Sequence, residues 1–307
     1  MRGSVAAVGV FDGVHRGHQA ILRLAARRAR ALGASPVAVT FHPHPLSVLR
    51  PGRSPELLLT LDQRKRFFGQ AGVRRTEVVP FTRSFAAWPP ERFAERVLAG
   101  RLRAREVVVG YDFRFGRGRA GGVETLRQAG RRLGFAVRVV GPVRAGGARV
   151  SSREIRRRMA RGDLAGVTRA LGRPPTVVGR VTRGAGRGAQ LGFPTANLQV
   201  EAGVLPPVGV YAVRAGVEGG PLRPGMANLG YRPTFGRAPA QPLLEVHLFG
   251  FRRPLYGRRL EVELLRRLRP ERRFPSAQAL ARQLARDAAR AKRVSALQAP
   301  RRVVSSP

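Results

Sequence analysis

The stretch GVFDGVHRGHQAIL, from Gly9 to Leu22, places two imidazoles, His15 and His18, three positions apart beside Gly17. They fall where an apolar strand gives way to a helical pattern with apolar positions at Ile21, Leu24, Ala25 and Leu32. A strand, a tight turn and a helix start leave unpaired backbone N–H groups and the positive end of the helix dipole pointing at one spot, which suits phosphate. Gly17 permits close backbone approach, and imidazoles beside a polyphosphate would be pushed toward their cationic, donating form. The competing reading is a pair of incidental turn residues. A metal site has no third ligand nearby in sequence, and the chain has no cysteine.

A second constellation lies in the other half. TRGAGRGAQLGFPTAN, residues 182–197, is a glycine-rich run whose Gly184, Gly188 and Gly192 leave backbone amides able to wrap phosphate. Thr195 and Asn197 follow with a hydroxyl and an amide oxygen, hard donors suited to Mg²⁺. The same PTAN segment also reads as an ordinary turn. In LLEVHLF, Leu244, Val246 and Leu248 alternate with Glu245 and His247, so Glu245 and His247 share the opposite strand face, toward solvent or a cavity.

These residues need elements to position them. In the first half, strand patterns at Val5–Val10, Val37–Phe41, Glu77–Phe81, Glu106–Gly110 and Ala136–Val140 alternate with helical patterns at Gln19–Leu32, Asp62–Ala71, Pro90–Ala99 and Val123–Leu133. That alternation predicts βαβ units around a parallel sheet. Gly33, Gly72, Gly100 and Gly134 stand where helix C-terminal caps are expected. From about Val177, the stretches TVVGRV, GVYAVRAGV, PGMANLG, LLEVHLFGF and RRLEVELLRRL follow one another without helices between them, predicting a small antiparallel barrel or sandwich. A last helix is expected from an N-cap at Ser276, with Leu280 and Leu284 on one face. A basic connector, SSREIRRRMARGDLAGVTRALGRPP, separates the halves. The expected division is residues 1–162 with the connector, 163–291, and a disordered tail from 292 to 307.

At 307 residues and 43% apolar, the chain has room for two soluble domains, and no apolar run is long enough to span a membrane. Without cysteine, disulfides and thiolate metal sites are excluded, and a cytoplasmic location is expected. The balance of 58 Lys+Arg against 18 Asp+Glu gives +40, which favours polyanionic ligands. The bases are almost all arginine, with lysine only at Lys65 and Lys292, and they are scattered instead of blocked. That distribution matches compositional drift toward Arg, Ala, Gly and Pro, so a specific nucleic-acid partner is not expected.

The HRGH run after FDGV resembles the signature of the nucleotidyltransferase superfamily that adenylylates small phosphorylated acceptors. VAVTFHPHP and VVVGYDFRFGRGRAGG resemble the flavin adenylyltransferase module of bacterial bifunctional riboflavin kinase/FAD synthetases. LGFPTANL, GVYAVR, GMANLGYRPTFG, LEVHLF and LYGRRLEVELLRRLRPERRF resemble the riboflavin kinase module of the same enzymes, in the same order, so the likeness runs from about Val5 to Ala291.

The resemblance implies a fold and a chemistry. The N-terminal domain would be an α/β nucleotidyltransferase-like domain with a Rossmann-like parallel sheet. The C-terminal one would be a small antiparallel β-barrel kinase domain with a C-terminal helix. Riboflavin and ATP would give FMN in the barrel; FMN and a second ATP would give FAD and pyrophosphate in the α/β domain. The resemblance puts His15 and His18 on the ATP phosphates with Gly17, and has His44, Ser152, Arg153 and Arg156 help close that site. Asp112, Phe113 and Phe115 would flank the flavin. Gly184, Gly188 and Gly192 would wrap the kinase's ATP, Thr195 and Asn197 would hold Mg²⁺, and Glu245 would accept the proton of the ribityl 5′-hydroxyl. The family's Ser-Ser-Thr run reads Ser151-Ser152-Arg153 here, and Arg153, with a forked charged donor set, is expected to stand in for the missing hydroxyl. The alternatives are a riboflavin kinase with an impaired adenylyltransferase half, and a non-catalytic flavin- or nucleic-acid-binding protein.

Overall fold

A computed structural model describes residues 3–184, 188, 191–231, 242–251 and 253–297. The chain divides into two compact units, Met1–Glu154 with Ala170–Gly172, and Ile155–Arg169 with Arg173–Pro307. The division falls inside the expected connector.

The first unit is an α/β domain. Strands β1 (Ser4–Val8), β2 (Ser35–His42), β3 (Arg75–Pro80), β4 (Ala104–Gly110) and β5 (Ala136–Val140) form one parallel sheet in the order β3-β2-β1-β4-β5. Helices α1 (Arg16–Ala31), α2 (Pro45–Leu49), α3 (Leu61–Gln70), α4 (Arg83–Ala86), α5 (Pro90–Phe93) and α6 (Val123–Leu133) connect the strands. The sheet's apolar side chains alternate between two cores. Val5, Ala7, Ala38 and Val108 meet Ile21, Leu22, Ala25 and Ala29 of α1 on one face. Ala6, Val8, Val37, Val39, Val107 and Val109 meet Phe93, Leu98 and Leu126 on the other. A sheet covered on both faces explains strands that read as continuous apolar runs.

Gly33, Gly72 and Gly134 all take left-handed φ values at helix ends, as caps do. Gly100 does not. The helical pattern from Pro90 continues past α5 as a π-helical segment, Ala94–Arg101, and Gly100 lies inside it. Its bonding reaches five residues back, as in Leu102 N–H to the Val97 carbonyl at 3.0 Å, and the left-handed turn is taken by Arg103 instead, at φ 47°.

A short hairpin, β6 (Arg144–Ala145) and β7 (Ala148–Arg149), precedes α7 (Ser152–Ala160) and α8 (Leu164–Leu171). The second unit is built on a closed barrel of β8 (Thr176–Thr182), β9 (Ala196–Ala202), β10 (Gly209–Val217), β11 (Arg223–Tyr231), β12 (Pro242–Leu248) and β13 (Arg259–Arg269). The order β10-β11-β12-β9-β8-β13 closes because β13 pairs with both β8 and β10. β9 was not among the expected strands, although Leu198 and Ala202 are buried and alternate with Gln199 and Glu201. Leu198, Leu244, Val246, Val262 and Leu264 are nearly inaccessible.

The last helix, α9 (Ala277–Leu297), starts where Ser276 Oγ accepts the Ala279 N–H at 3.1 Å. It packs Ala288 and Ala291, with Leu284 and Val294, against Val210, Ala212 and Met226 of the barrel. It runs to Leu297, past Lys292, where the tail was expected to begin, because Val294 packs half-buried on the barrel core and Ser295 is buried. The rest of that tail, 298–307, lies outside the described residues.

One buried charge ties α1 to the sheet. Glu106 on β4 is 4% exposed and accepts from Arg28 of α1 at 2.5 and 2.8 Å and from Arg138 of β5 at 3.3 Å. The Arg28 hydrogen bonds, with lesser help from Arg138 and against burial, hold its carboxyl below the ordinary carboxylate value of 4.5. A depressed carboxylate contributes stability that is fully present above that value and is lost as the pH falls below it. Glu106→Gln should therefore lower stability by about 1–3 kcal/mol at pH 7. In urea titrations, the gap to the unaltered protein should narrow below about pH 4; a gap constant down to pH 3 would contradict this.

Candidate functional sites

After β1 the chain turns through Phe11 at φ 53°, Gly13 at φ 85° and Val14 at φ 40°. Two non-glycine residues in the left-handed region cost about 1–3 kcal/mol each, so the surroundings must impose the turn. Phe11 and Val14 are buried, and Asp12 is 4% exposed with Oδ1 accepting the Leu58 N–H at 3.0 Å. From α3, buried Arg64 donates through Nη1 to the Val10 carbonyl at 2.9 Å and to Thr40 Oγ1 at 3.1 Å. Burial pushes the Arg64 guanidinium below its ordinary pKa, while the Asp12 charge pulls the other way. From the far end of the domain, Ser152 Oγ donates to the Asp12 carbonyl at 2.8 Å.

That turn delivers the histidines. His15 is the N-cap of α1, its Nδ1 accepting the His18 N–H at 3.3 Å. The two rings stack at 3.6 Å and 18°, and Phe11 meets His18 edge-on at 5.3 Å.

A cavity of about 400 Å³ opens at the carboxyl ends of β1, β4 and β5. β1 and β4 are where the strand order runs off in opposite directions, the place where open α/β sheets take ligands. His15, Gly17, His18, Asp112, Phe113, Ser151 and Ser152 line it together. Phe115 lies behind, buried and stacked on Phe113 at 5.3 Å. His44 caps α2, its Nδ1 accepting the Leu46 N–H at 3.2 Å, and is not among the lining residues. Arg153 is exposed on the first turn of α7, outside the lining, and Arg156 belongs to the second unit. Sequence reasoning missed Tyr111, Arg119 and Arg149 on the cavity wall. Arg149 pairs with Asp112 Oδ2 at 2.8 Å and lies over the Tyr111 ring at 4.8 Å.

In the barrel, three polar residues stand side by side on adjacent strands. Asn197 of β9, Glu245 of β12 and Asn228 of β11 are direct register partners, so their side chains share one face. Asn228 was not foreseen; it donates from Nδ2 to Glu271 Oε1 at 3.5 Å. Leu244, Val246 and Leu248 are buried on the other face, while Glu245 and His247 are half-buried. His247 Nδ1 contacts the Pro194 carbonyl at 2.8 Å, fixing the PTAN segment to β12. Gly184 sits against Asn197 so tightly that a Cβ there would collide with the amide. A Cβ on Gly188 would reach the Phe193 carbonyl at 2.5 Å and Thr195 Oγ1 at 3.4 Å. Gly192 takes φ 80°. Residues 185–187, 189 and 190 of the glycine-rich run lie outside the described residues.

A cavity at a sheet switch point beside a helix N-terminus, and a row of amide and carboxylate side chains on a closed barrel, fit a nucleotide-dependent transferase built from two domains. Residues 1–154 match the FAD synthetase family model, and residues 171–295 match the riboflavin kinase model. The bifunctional riboflavin kinase/FMN adenylyltransferase of Escherichia coli strain K12 is 39% identical over 286 residues, 93% of this chain and 90% of that one. That of Pseudomonas fluorescens is 39% identical, covering 98% and 96%, and that of Bacillus subtilis strain 168 is 36% identical, covering 92% and 90%. A solved structure described as a macrolide-efflux protein from Streptococcus pneumoniae superposes with a TM-score of 0.83 at 30% identity, covering 95% of this chain and 94% of that chain. That description belongs to the other protein; among the described residues here no helix is long and apolar enough to cross a membrane. The chain belongs to the bifunctional riboflavin kinase/FMN adenylyltransferase family.

Arg64 supports the first site without lining it. Arg64→Met removes the donor to Val10 and Thr40 and the countercharge near Asp12, so stability should fall by about 3 kcal/mol. Arg64→Lys should recover only part, since an ammonium cannot span the same acceptors as a guanidinium. Denaturant midpoints equal to the unaltered protein's would contradict the role given to Arg64.

Proposed function

We propose that the barrel phosphorylates riboflavin to FMN with ATP and that the α/β cavity adenylylates FMN with a second ATP, giving FAD and pyrophosphate. The observation that carries the reading is the presence of both centres on one chain: the paired histidines at the α1 N-terminus, and Glu245 in register between Asn197 and Asn228.

In the kinase, Glu245 accepts the proton of the ribityl 5′-hydroxyl as its oxygen bonds to the γ-phosphorus of ATP and ADP leaves. The residues present fit Mg²⁺: the Thr195 hydroxyl and Asn197 amide are hard oxygen donors, with glycine instead of a side chain pressed against the Asn197 amide. When bound there, Mg²⁺ would offset the phosphate charge. Gly184, Gly188 and Gly192 leave backbone amides free to approach the nucleotide.

Adenylyl transfer needs no protein nucleophile. An FMN phosphate oxygen bonds to the α-phosphorus of ATP while the bond to the pyrophosphate breaks, and the protein aligns the groups and offsets their charge. His15, Gly17, His18 and Ser152 take the nucleotide phosphates, and Asp112 and Phe113 the flavin side, with Phe115 supporting Phe113 from behind. His44 and Arg153, outside the cavity lining within the same unit, would join the nucleotide only by movement on binding. An ATP-consuming enzyme of this kind supports a cytoplasmic location.

A second reading, a riboflavin kinase whose adenylyltransferase half is impaired, is favoured by one observation. Arg153, standing where relatives in the resemblance carry a hydroxyl, is exposed and outside the cavity lining. Chromatography of the products from riboflavin, ATP and Mg²⁺ separates the readings. FMN plus FAD supports the bifunctional enzyme, FMN alone the impaired one, and neither product overturns both.

Single variants then assign the centres. Glu245→Gln should slow FMN formation by about 10²–10⁴-fold while FAD formation from supplied FMN is kept. His18→Ala should do the reverse, cutting FAD synthesis and sparing riboflavin phosphorylation. Joint loss of both activities in either variant, with the fold intact by circular dichroism, would contradict two separate centres.

A further inference from the structure

The loop after β4 carries an arginine to the cavity wall in a way its neighbours enforce. Its ends are tied by two hydrogen bonds, Phe115 N–H to the Gly121 carbonyl and Gly121 N–H to the Phe115 carbonyl, both 3.0 Å. Gly116 and Gly121 lie so close to Pro90 that a Cβ on either would fall 2.6 or 2.9 Å from its ring. Arg117 N–H is held by the Trp88 carbonyl at 2.7 Å. Between these anchors, Gly116, Gly118 and Arg119 take φ values of 74°, 62° and 63°. Glycine adopts such angles freely, whereas arginine is strained there. Strain kept in a tightly fixed loop calls for a reason in the side chain it presents.

Arg119 lines the cavity, and no ion pair holds it among the described residues. The other guanidinium on the wall, Arg149, is engaged by Asp112 and Tyr111. Adenylyl transfer brings the three phosphates of ATP and the phosphate monoester of FMN into this one space, and that crowding of anions needs fixed cations. α1, following β1, supplies the nucleotide side. Arg119 follows β4 on the same loop as Phe113, the aromatic facing the flavin. We propose that Arg119 binds the 5′-phosphate of FMN and so selects the phosphorylated flavin over riboflavin at the adenylyltransferase centre. A forked guanidinium pairs with a phosphate dianion through two charge-assisted bonds, and riboflavin offers it nothing. As the FMN oxygen bonds to the α-phosphorus and the electron pair of the broken bond leaves with pyrophosphate, Arg119 keeps the attacking phosphate in line.

The proposal rests on the adenylyltransferase reading, so FAD formation by the unaltered full-length protein is measured first; its absence would remove that reading and this proposal together. With FAD formed, Arg119→Ala should raise the KM for FMN by about ten- to a hundredfold, leaving the KM for ATP and the riboflavin kinase rate unchanged. Arg119→Lys should fall between the two. The reverse reaction separates the two phosphates Arg119 could hold. From FAD and pyrophosphate, the variant should show a raised KM for FAD, while a raised KM for pyrophosphate alone would assign Arg119 to the leaving group and overturn the proposal. Arg119→Gly distinguishes binding from a structural role, because glycine relieves the strained φ. Its thermal midpoint should stay level or rise as FMN binding weakens. A lowered midpoint with an unchanged KM for FMN would make Arg119 a loop-folding residue and overturn the proposal.

Discussion

Arg64 buried beneath the turn after β1 is the constraint on which the adenylyltransferase half depends. The turn needs two non-glycine residues in a costly backbone region, and within it the Val14 N–H meets the Phe11 carbonyl at 3.2 Å and Asp12 supplies a countercharge. Further support comes from outside: α3 contributes the guanidinium, β2 the Thr40 hydroxyl, and Ser152 a bond from more than a hundred residues away. Because these partners converge, the α1 N-terminus has a fixed place and the two imidazoles can stack over the cavity floor. Ser152 thereby couples the end of the α/β domain to its beginning, while its neighbour Ser151 holds the Glu154 N–H at 3.2 Å.

The barrel solves positioning differently. Its acid, its amides and its hydroxyl sit on regular strands or next to them, where register alone sets which side chains are neighbours. Asn197, Glu245 and Asn228 need no strained turn to meet; ladder pairing across β9, β12 and β11 aligns them. What the barrel needs instead is room, and the glycines at 184 and 188 provide it by omitting side chains where the Asn197 amide and the Phe193 carbonyl lie. One half therefore stores strain near its chemistry and the other stores emptiness.

Much of this was legible in the residues. β5 and α6 fall on Ala136–Val140 and Val123–Leu133 as read, because apolar alternation and a terminal Gly134 mark them without competition. The histidine pair and Glu245 stood out by residue type in a chain with five histidines and few acids. β9 was hidden because it begins inside a segment that also reads as a turn. The π-helical continuation through Gly100 has no periodic signature apart from that of an ordinary helix. Arg64, Arg119 and Arg149 could not be told from the other arginines, since position in space, not residue type, separates a buried or cavity-lining guanidinium from a solvated one. Asn228 becomes a neighbour of Glu245 only once the strand register is known.

Barrel closure has a consequence for how the chain emerges during synthesis. β13 pairs with β8 on one side and β10 on the other, so no closed barrel exists until Arg259–Arg269 has left the ribosome. The parallel sheet, by contrast, is complete once β5 has passed Val140. Domains fold in the order they emerge, so the adenylyltransferase sheet can assemble while the kinase strands are still being made. A translation that stops between Gly172 and Arg259 therefore leaves the α/β unit without a closed barrel. Such a fragment would have to draw its FMN from intact copies.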